Sequence, residues 1–283
     1  MEENKHQDFD RTCSRISELI TREYSTSFFS ATRLLEKEIR EAIFNIYGFV
    51  RFADEIVDTF HDFDKKELLS QFEKDYYAAL GKGISLNPVL HSFQQTVSRY
   101  GIEDAHVQAF LSSMKSDLEK ETYSEKEDID RYIFGSADVV GLMCLKVFCK
   151  GDQQLYRELL EPAMKLGSAF QKVNFLRDLK NDIQLLGRRY FPELLEGELD
   201  DAKKSSIVNQ IREDFRAAFT GMRKLPGRSK LAVYTAFLYY LGLLSKINST
   251  PARKIMETRI RIPDWKKMLL LFRAVIAYKF KLI

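Results

Sequence analysis

Apolar residues recur at three- and four-residue intervals along almost the whole of this 283-residue chain. This spacing places them on one face of an α-helix, and no stretch shows the sustained apolar/polar alternation of a half-buried β-strand. Glycine and proline, with 13 and 6 copies, are too scarce for a sandwich or barrel built from many tight turns. The sequence therefore predicts an all-α protein, with a single domain over residues 1–283 and no linker.

Turn-forming residues divide this helical pattern. Breaks are expected at Gly83, Asn87-Pro88, Gly101 and Gly151, and at three later sites that each contain a proline. The predicted helices cover about residues 8–22, 36–60, 64–80, 88–99, 103–121, 126–149, 152–186, 200–221, 227–247 and 264–282.

Charge and cysteine content exclude several classes of protein. A net charge of +3, without a basic run interleaved with aromatic residues, argues against nucleic acid as a partner. The three cysteines, Cys13, Cys144 and Cys149, are an odd and sparse set that suits a reducing compartment. The polar N-terminus does not resemble a secretory signal. No stretch reaches about 18 uncharged apolar residues, so no transmembrane helix is expected. We therefore expect a cytoplasmic protein.

The segment Ile43–Asp58 predicts an unusual buried helix. Ten of its sixteen residues are apolar and surround the helix, yet it carries Arg51, Asp54, Glu55 and Asp58. Asp54 and Asp58 are four residues apart, so their carboxylates leave one face about one turn apart. Buried carboxylates need positive charge nearby, and a hard divalent cation such as Mg²⁺ meets that need. The alternative is a solvated charged strip at the end of the helix.

A second acidic stripe occurs within residues 167–182. Gln171, Asn174, Asp178 and Asp182 lie three or four residues apart and share one helix face. Such a stripe suits a metal bound through Asp178 and Asp182, with Asn174 as an additional oxygen ligand. The alternative is an ordinary amphipathic surface helix. The two stripes make sense together if their helices face one another across a bundle cavity. There they would bind Mg²⁺, or Mn²⁺ in its place, and so stabilise a diphosphate leaving group.

Five ordered segments, together spanning nearly the whole chain, resemble the motifs of the squalene/phytoene synthase family. They are a serine-rich flap at 24–29, a first aspartate-rich motif at 51–58, a Y-x-Y-x-x-A-x-x-V-G-like segment at 132–141, a Q-x-x-N-x-x-R-D-x-x-x-D motif at 171–182 and a basic-aromatic segment at 188–192. The resemblance implies an isoprenoid-synthase-like helical bundle with a central cavity.

The resemblance also implies residue roles. The expected metal ligands are Asp54, Asp58, Asp178, Asp182 and, with less specificity, Asp117. The expected contacts to diphosphate and its metals are Ser25, Ser27, Arg51, Asn174, Arg177, Arg189 and Arg259. The residues expected at the reacting centre are Tyr132, Gln171 and Tyr240. Simpler interpretations stay open: the two tyrosines could be core residues, Arg189 could cap a loop, and the serines could cap a helix.

The activity that the resemblance implies is head-to-head condensation of two prenyl diphosphates through a cyclopropyl diphosphate. Geranylgeranyl diphosphate would give phytoene, and NADPH is not expected, because the sequence has no G-x-G-x-x-G element. The closest alternative is a squalene or dehydrosqualene synthase that acts on farnesyl diphosphate. A head-to-tail prenyltransferase is disfavoured because a DDxxD motif is absent. A non-catalytic helical assembly protein is the remaining alternative.

The apolar segment 268–283 carries Arg273, Lys279 and Lys281. It predicts either a final helix packed on the core, which we favour, or a helix lying on a membrane surface. We expect a monomer or weak dimer, with peripheral membrane contact as a route for releasing an oily product.

Overall fold

The computed structural model describes residues 2–119, 126–184, 187–194, 197 and 199–283. Within these ranges the regular structure is helical, which confirms the predicted fold class. The α-helices are α1 (Glu2–Tyr24), α2 (Thr26–Thr32), α3 (Lys37–Asp58), α4 (Lys65–Lys82), α5 (Pro88–Tyr100), α6 (Asp104–Asp117), α7 (Lys126–Ile133), α8 (Val139–Cys149), α9 (Gln153–Gln184), α10 (Asp201–Met222), α11 (Gly227–Ser249), α12 (Ala252–Glu257) and α13 (Asp264–Lys279). A π-helical turn, Phe134–Asp138, joins α7 to α8, and a 3₁₀ turn, Pro192–Leu194, precedes α10.

Several predicted breaks are confirmed by the way the helices begin and end. Helix α4 ends at Gly83, whose φ of 73° is the left-handed conformation that glycine adopts without strain. The Asn87 side chain caps α5 by accepting hydrogen bonds from the backbone N–H groups of Val89 and Leu90. Helix α5 then ends at Gly101, which is also left-handed, with a φ of 60°.

The structure departs from the predicted elements in three places. Helices α2 and α12, of 7 and 6 residues, are too short to show a periodic pattern and were not predicted. The predicted helix 126–149 contains the π-helical turn, where α6 approaches so closely that a Cβ on Gly135 would lie 2.7 Å from the Ala109 carbonyl oxygen. The ends of predicted helices 103–121 and 152–186 fall partly on residues 120–121 and 185–186, outside the described residues.

The buried apolar residues form two clusters that share α8. One cluster lies among α3 to α6 and includes Phe49 stacked on Phe93, with ring centroids 3.9 Å apart. The other lies among α9, α10 and α11. Helix α8 packs against both clusters, with Met143 facing the first and Leu142 the second. A helix with a core on two sides is apolar all round.

The packing of α8 between two clusters explains why the helical stretch that contains it is strongly apolar. Among the described residues, the helical stretch Glu127–Cys149 is long and apolar enough to cross a membrane. However, 67% of its most apolar window is buried inside the protein. The stretch is therefore accounted for as a core helix between the two clusters.

Candidate active site

A cavity of about 720 Å³ takes its walls from both core clusters. Helices α3 and α9 each line it with one continuous face. On α3 that face carries Ile43, Ile46, Val50, Asp54 and Asp58, and on α9 it carries Leu159, Ala163, Leu166, Phe170, Asn174, Asp178 and Asp182. Both faces are apolar in the earlier turns and acidic in the last turns. The cavity therefore has an apolar body and an acidic end, where the negative ends of two helix dipoles add to the carboxylate charge.

On α3, the guanidinium of Arg51 is held by its own helix. It donates a hydrogen bond of 2.6 Å to Asp54 and a second one to Glu55. The Tyr24 ring lies over the same guanidinium, 4.4 Å from ring centroid to Arg51 Cζ, in a cation–π contact. Arg51 is thus already paired with Asp54 and Glu55 and stacked under an aromatic ring. Asp58, one turn further along, draws its positive partner from another part of the chain.

On α9, Asp178 receives two arginines. Arg177 Nε donates to its carboxylate at 3.1 Å, and Arg259 Nε, from the segment before α13, lies 2.6 Å from Asp178 Oδ1. One turn earlier, Asn174 Oδ1 accepts a hydrogen bond of 3.3 Å from the Tyr240 hydroxyl. Tyr240 stacks on Phe170, with ring centroids 3.9 Å apart. Tyr240 therefore lies at the boundary between the acidic end and the apolar body of the cavity and contacts both.

A further group of polar side chains closes the acidic end. The Tyr132 hydroxyl donates to Asp117 Oδ2 at 2.7 Å. Arg188 Nη1 donates to Asp58 Oδ1 at 2.8 Å and lies 4.0 Å from Asp117 Oδ2. Arg188 Nη2 also donates to the Asp117 backbone carbonyl at 3.2 Å. Arg188 therefore ties the segment after α9 to the C-terminal ends of α3 and α6.

The structure brings thirteen of the predicted site residues together in the cavity wall. They are Ser25, Arg51, Asp54, Asp58, Asp117, Tyr132, Gln171, Asn174, Arg177, Asp178, Asp182, Tyr240 and Arg259. Ser25 combines two interpretations, since it lines the cavity and also caps α2 by accepting from the Phe28 N–H at 3.3 Å. Ser27 does not line the cavity, and its carbonyl accepts from the Ser30 hydroxyl.

Arg189 is the second predicted residue that the structure places outside the cavity wall. Its Nη1 donates to the Leu194 carbonyl at 3.4 Å, as expected of a residue that caps a loop. Its neighbours Arg188 and Tyr190 line the cavity instead. Of these two adjacent arginines, the structure thus places Arg188 in the cavity wall and Arg189 outside it. The signal was present in the sequence as an Arg-Arg-Tyr run, but adjacent residues outside a helix point in different directions.

Burial and mutual repulsion raise the pKa of two carboxyl groups at the acidic end. Burial raises the pKa of Asp54 to about 7, and the neighbouring Asp58 charge adds to the shift. Asp54 lines the cavity, and 37% of its side-chain surface is exposed. Burial likewise raises the pKa of Asp182 to about 8, with contributions from Asp178 and from Asp58. Since Asp58 lies on α3 and Asp182 on α9, the two acidic faces are close enough to repel one another.

This carboxylate arrangement fits a cation that is shared with a ligand. Within the described ranges, no three His, Cys, Asp or Glu side chains converge tightly enough to hold a metal ion unaided. Mg²⁺ commonly takes only one or two carboxylates and completes its shell with water and phosphate oxygens. The pairs Asp54/Asp58 and Asp178/Asp182 match that requirement. The site is therefore suited to an amphipathic ligand with a phosphate head at the acidic end and an apolar chain in the body.

A family model described as squalene/phytoene synthase matches residues 21–266. Phytoene synthase of Arthrospira platensis is 27% identical over 278 residues, which cover 89% of this chain and 89% of that protein. Presqualene diphosphate synthase of Rhodopseudomonas palustris is 30% identical over 235 residues, covering 77% of this chain and 82% of that protein.

Two solved structures have the same architecture. A dehydrosqualene synthase in complex with a ligand superposes with a TM-score of 0.83 at 21% identity, covering 96% of this chain and 98% of that one. Squalene synthase HpnC from Alicyclobacillus acidocaldarius superposes with a TM-score of 0.73 at 20% identity, covering 89% of this chain and 97% of that one. At this level of identity the likeness concerns the fold.

Proposed function

The chain belongs to the squalene/phytoene synthase family, and we propose that it joins two molecules of geranylgeranyl diphosphate head to head to give phytoene. The observation that carries the proposal is the pair of helix faces, on α3 and α9, that pass from apolar to acidic along one cavity. A prenyl diphosphate has the same two-part character. Phytoene synthases among the relatives favour this product over others of the family.

At the acidic end, the chain's own residues hold the diphosphate head. Asp54, Asp58, Asp178 and Asp182 would bind Mg²⁺, which when present neutralises diphosphate charge and makes it a better leaving group. Arg188 and Arg259 each reach the acidic end from outside α3 and α9, at 2.8 Å from Asp58 and 2.6 Å from Asp178. Both guanidinium groups can turn from a carboxylate to diphosphate oxygens with paired N–H donors.

In the apolar body, the walls protect the reacting carbon atoms from water. Ionisation of the first diphosphate leaves an allylic cation, which water would quench. The stacked rings of Phe170 and Tyr240 lie where the acidic end meets the apolar body, and aromatic faces attract cations through their quadrupole. Tyr240 is held in place by Asn174, so we assign it a position beside the cation.

The reaction balances without a redox cofactor. The double bond of the second substrate attacks the allylic cation, a proton leaves, and a cyclopropyl diphosphate and one free diphosphate result. The cyclopropyl diphosphate then loses its own diphosphate, rearranges and loses a second proton to give the hydrocarbon. NADPH is needed only if hydride replaces that second proton loss, as in squalene formation.

A second candidate function uses farnesyl diphosphate and stops at, or passes through, presqualene diphosphate. The observation that favours it is the 30% identity to the presqualene diphosphate synthase of R. palustris. The first half-reaction, and the residues proposed for it, are the same in both candidates. They differ in the length of the prenyl chain and in how the second cation is discharged.

Incubation with each substrate tests the proposal. The purified protein would be given Mg²⁺ with geranylgeranyl or farnesyl diphosphate, each with and without NADPH, and extracts analysed by mass spectrometry. Phytoene from geranylgeranyl diphosphate without NADPH is the expected result. Squalene from farnesyl diphosphate with NADPH, and no product from geranylgeranyl diphosphate, would establish the second candidate instead. Folded protein that converts neither substrate would favour a non-catalytic role.

We propose further that the enzyme is cytoplasmic, monomeric or weakly dimeric, and in peripheral contact with a membrane. The prenyl chains of its substrates and its hydrocarbon product are as apolar as lipid tails. An enzyme that exchanges such molecules with a bilayer benefits from lying on its surface.

A further inference from the structure

Helix α13 exposes a continuous row of large apolar side chains. They lie along one face and continue beyond the helix: Trp265, Met268, Leu269, Phe272, Ile276, Phe280 and Leu282. Their exposed fractions range from 37% for Ile276 to 72% for Phe280. We name these seven residues the α13 apolar face. Scattered exposed apolar residues are ordinary, but a contiguous row of this kind marks an interaction surface.

The opposite side of α13 is what fixes the helix to the protein. Ala274 and Ala277 are buried, and the helix packs along α11. Leu270 reaches Gly242 of α11, where a Cβ would lie 3.2 Å from Leu270 Cδ1. The expectation of a final helix packed on the core is thus correct for one side only. Most of the α13 apolar face lies outside that packing.

The charges around this face are predominantly positive. Residues 264–283 contain five basic side chains, Lys266, Lys267, Arg273, Lys279 and Lys281, and a single acidic one, Asp264. Lys266 and Arg273 follow one edge of the apolar row and Lys279 the other, as expected from 3.6 residues per turn. Apolar residues with a Trp, bordered by Lys and Arg, are characteristic of helices that lie in the interface of anionic membranes.

The side of α13 away from its apolar face contacts α2, which contributes to the wall of the cavity. Lys267 Nζ lies 3.3 Å from the Thr26 hydroxyl, at the beginning of α2. The flanking residues Ser25 and Phe28 line the cavity. Docking through α13 would therefore hold α2, one wall of the substrate cavity, directly behind the docking helix.

We propose that the α13 apolar face docks the protein on an anionic phospholipid bilayer, with the row from Trp265 to Leu282 buried among the acyl chains and Lys266, Arg273 and Lys279 at the level of the headgroups. The need for such docking rests on the proposed function, which uses and releases lipid-like molecules. A second copy of the chain is a poorer occupant. A two-fold contact through this face would bring the like charges at its edges together, Lys266, Arg273 and Lys279 from each copy.

The sequence offers a built-in probe, because Trp265 is the single tryptophan of the chain and lies on the α13 apolar face. Its fluorescence would be measured with vesicles of phosphatidylglycerol and phosphatidylcholine, and with vesicles of phosphatidylcholine alone. We expect a blue shift, and quenching by lipids brominated along the acyl chain, with the mixed vesicles. Binding to phosphatidylcholine alone should be weaker, and binding to mixed vesicles should fall with added salt.

Matched variants locate the surface. Leu269→Glu with Phe272→Glu should lower partitioning by at least ~10-fold for each side chain lost, since burial of one large apolar side chain changes an equilibrium constant by at least that factor. Leu86→Glu is the control, because Leu86 is 90% exposed on the loop before α5 and should leave binding unchanged. Arg273→Glu with Lys279→Glu should weaken binding to mixed vesicles alone.

Two results would overturn the proposal. One is an unchanged Trp265 spectrum with mixed vesicles. The other is a wild-type dimer that binds no vesicles and becomes monomeric in Leu269→Glu/Phe272→Glu, which would assign the face to a second copy. Circular dichroism would verify that each variant is folded. Turnover of substrate in detergent micelles separates this proposal from the proposed function: the double Glu variant should retain wild-type turnover there, whereas failure of the function would abolish turnover in both proteins.

Discussion

Replacing Arg188 with methionine tests how the acidic end of the cavity is held together. Methionine keeps an unbranched apolar stem and removes the guanidinium with its charge. The guanidinium is 7% exposed and lies 2.8 Å from Asp58 and 4.0 Å from Asp117, whose side chain is only 4% exposed. In Arg188→Met, both carboxylates remain in the partly buried site without that positive charge.

The expected loss of stability is ~3 kcal/mol. Breaking a buried ion pair by removing one partner typically costs about 3–5 kcal/mol. The lower end applies because 33% of the Asp58 side chain is exposed and solvent compensates part of its charge. For a protein of this size that loss lowers Tm by about 6–12 °C. Urea unfolding of the metal-free protein, followed by circular dichroism, measures it directly.

Arg189→Met is the matched control. Arg189 makes one long hydrogen bond, 3.4 Å, to the Leu194 carbonyl, so its loss should change the free energy of unfolding by no more than ~1 kcal/mol. Added Mg²⁺ should recover part of the stability lost in Arg188→Met, because it supplies positive charge to the same carboxylates. The claim that Arg188 holds the acidic end together is refuted if Arg189→Met lowers the free energy of unfolding more than Arg188→Met does. It is also refuted if Arg188→Met leaves that free energy unchanged.

Three further predictions concern the carboxylates and Tyr240. Asp54→Asn and Asp178→Asn should each lower kcat by at least ~10²-fold while the fold is kept; near-wild-type rates in both would show that they are not ligands. Because the pKa of Asp54 and of Asp182 is raised to about 7 and about 8 in the folded protein, from about 4 in the unfolded chain, stability in EDTA should fall as pH rises from about 5 to about 8. Asp182→Asn should flatten that slope in urea unfolding at several pH values, and an unchanged slope would contradict the burial of Asp182. Tyr240→Phe should keep the stacking on Phe170 and lose only the hydrogen bond to Asn174, so kcat should fall far less than in Tyr240→Ala; equal losses would exclude a role for the ring.

The acidic stripes were predictable from the sequence because helices are periodic. Once residues 43–58 and 167–182 are helical, side chains four residues apart must share a face, and Asp54 and Asp58 had to project together. That the two faces meet across a cavity depends on tertiary packing. In the structure Asp58 and Asp182 are close enough for Asp58 to raise the pKa of Asp182. The ordered family motifs indicated that meeting in advance.

Features outside regular helices could not be assigned in the same way. The choice between Arg188 and Arg189 depends on the backbone direction after α9, where no periodicity operates. Helix α2 depends on the Ser25 cap rather than on a repeating apolar pattern. On α13 the periodicity was visible, but it does not distinguish an apolar face buried in protein from one left outside. Only the packing of Ala274 and Ala277 decides which side faces inward.

The ratio of free diphosphate to product tests head-to-head condensation most directly. In a reaction with Mg²⁺ and geranylgeranyl diphosphate, released diphosphate and newly formed prenyl product would be quantified in the same samples. Two diphosphates released for each hydrocarbon formed, with no diphosphate left on the final product, is the predicted result. One diphosphate released for each carbon–carbon bond, with a longer prenyl diphosphate as the final product, would contradict the account and indicate head-to-tail elongation instead.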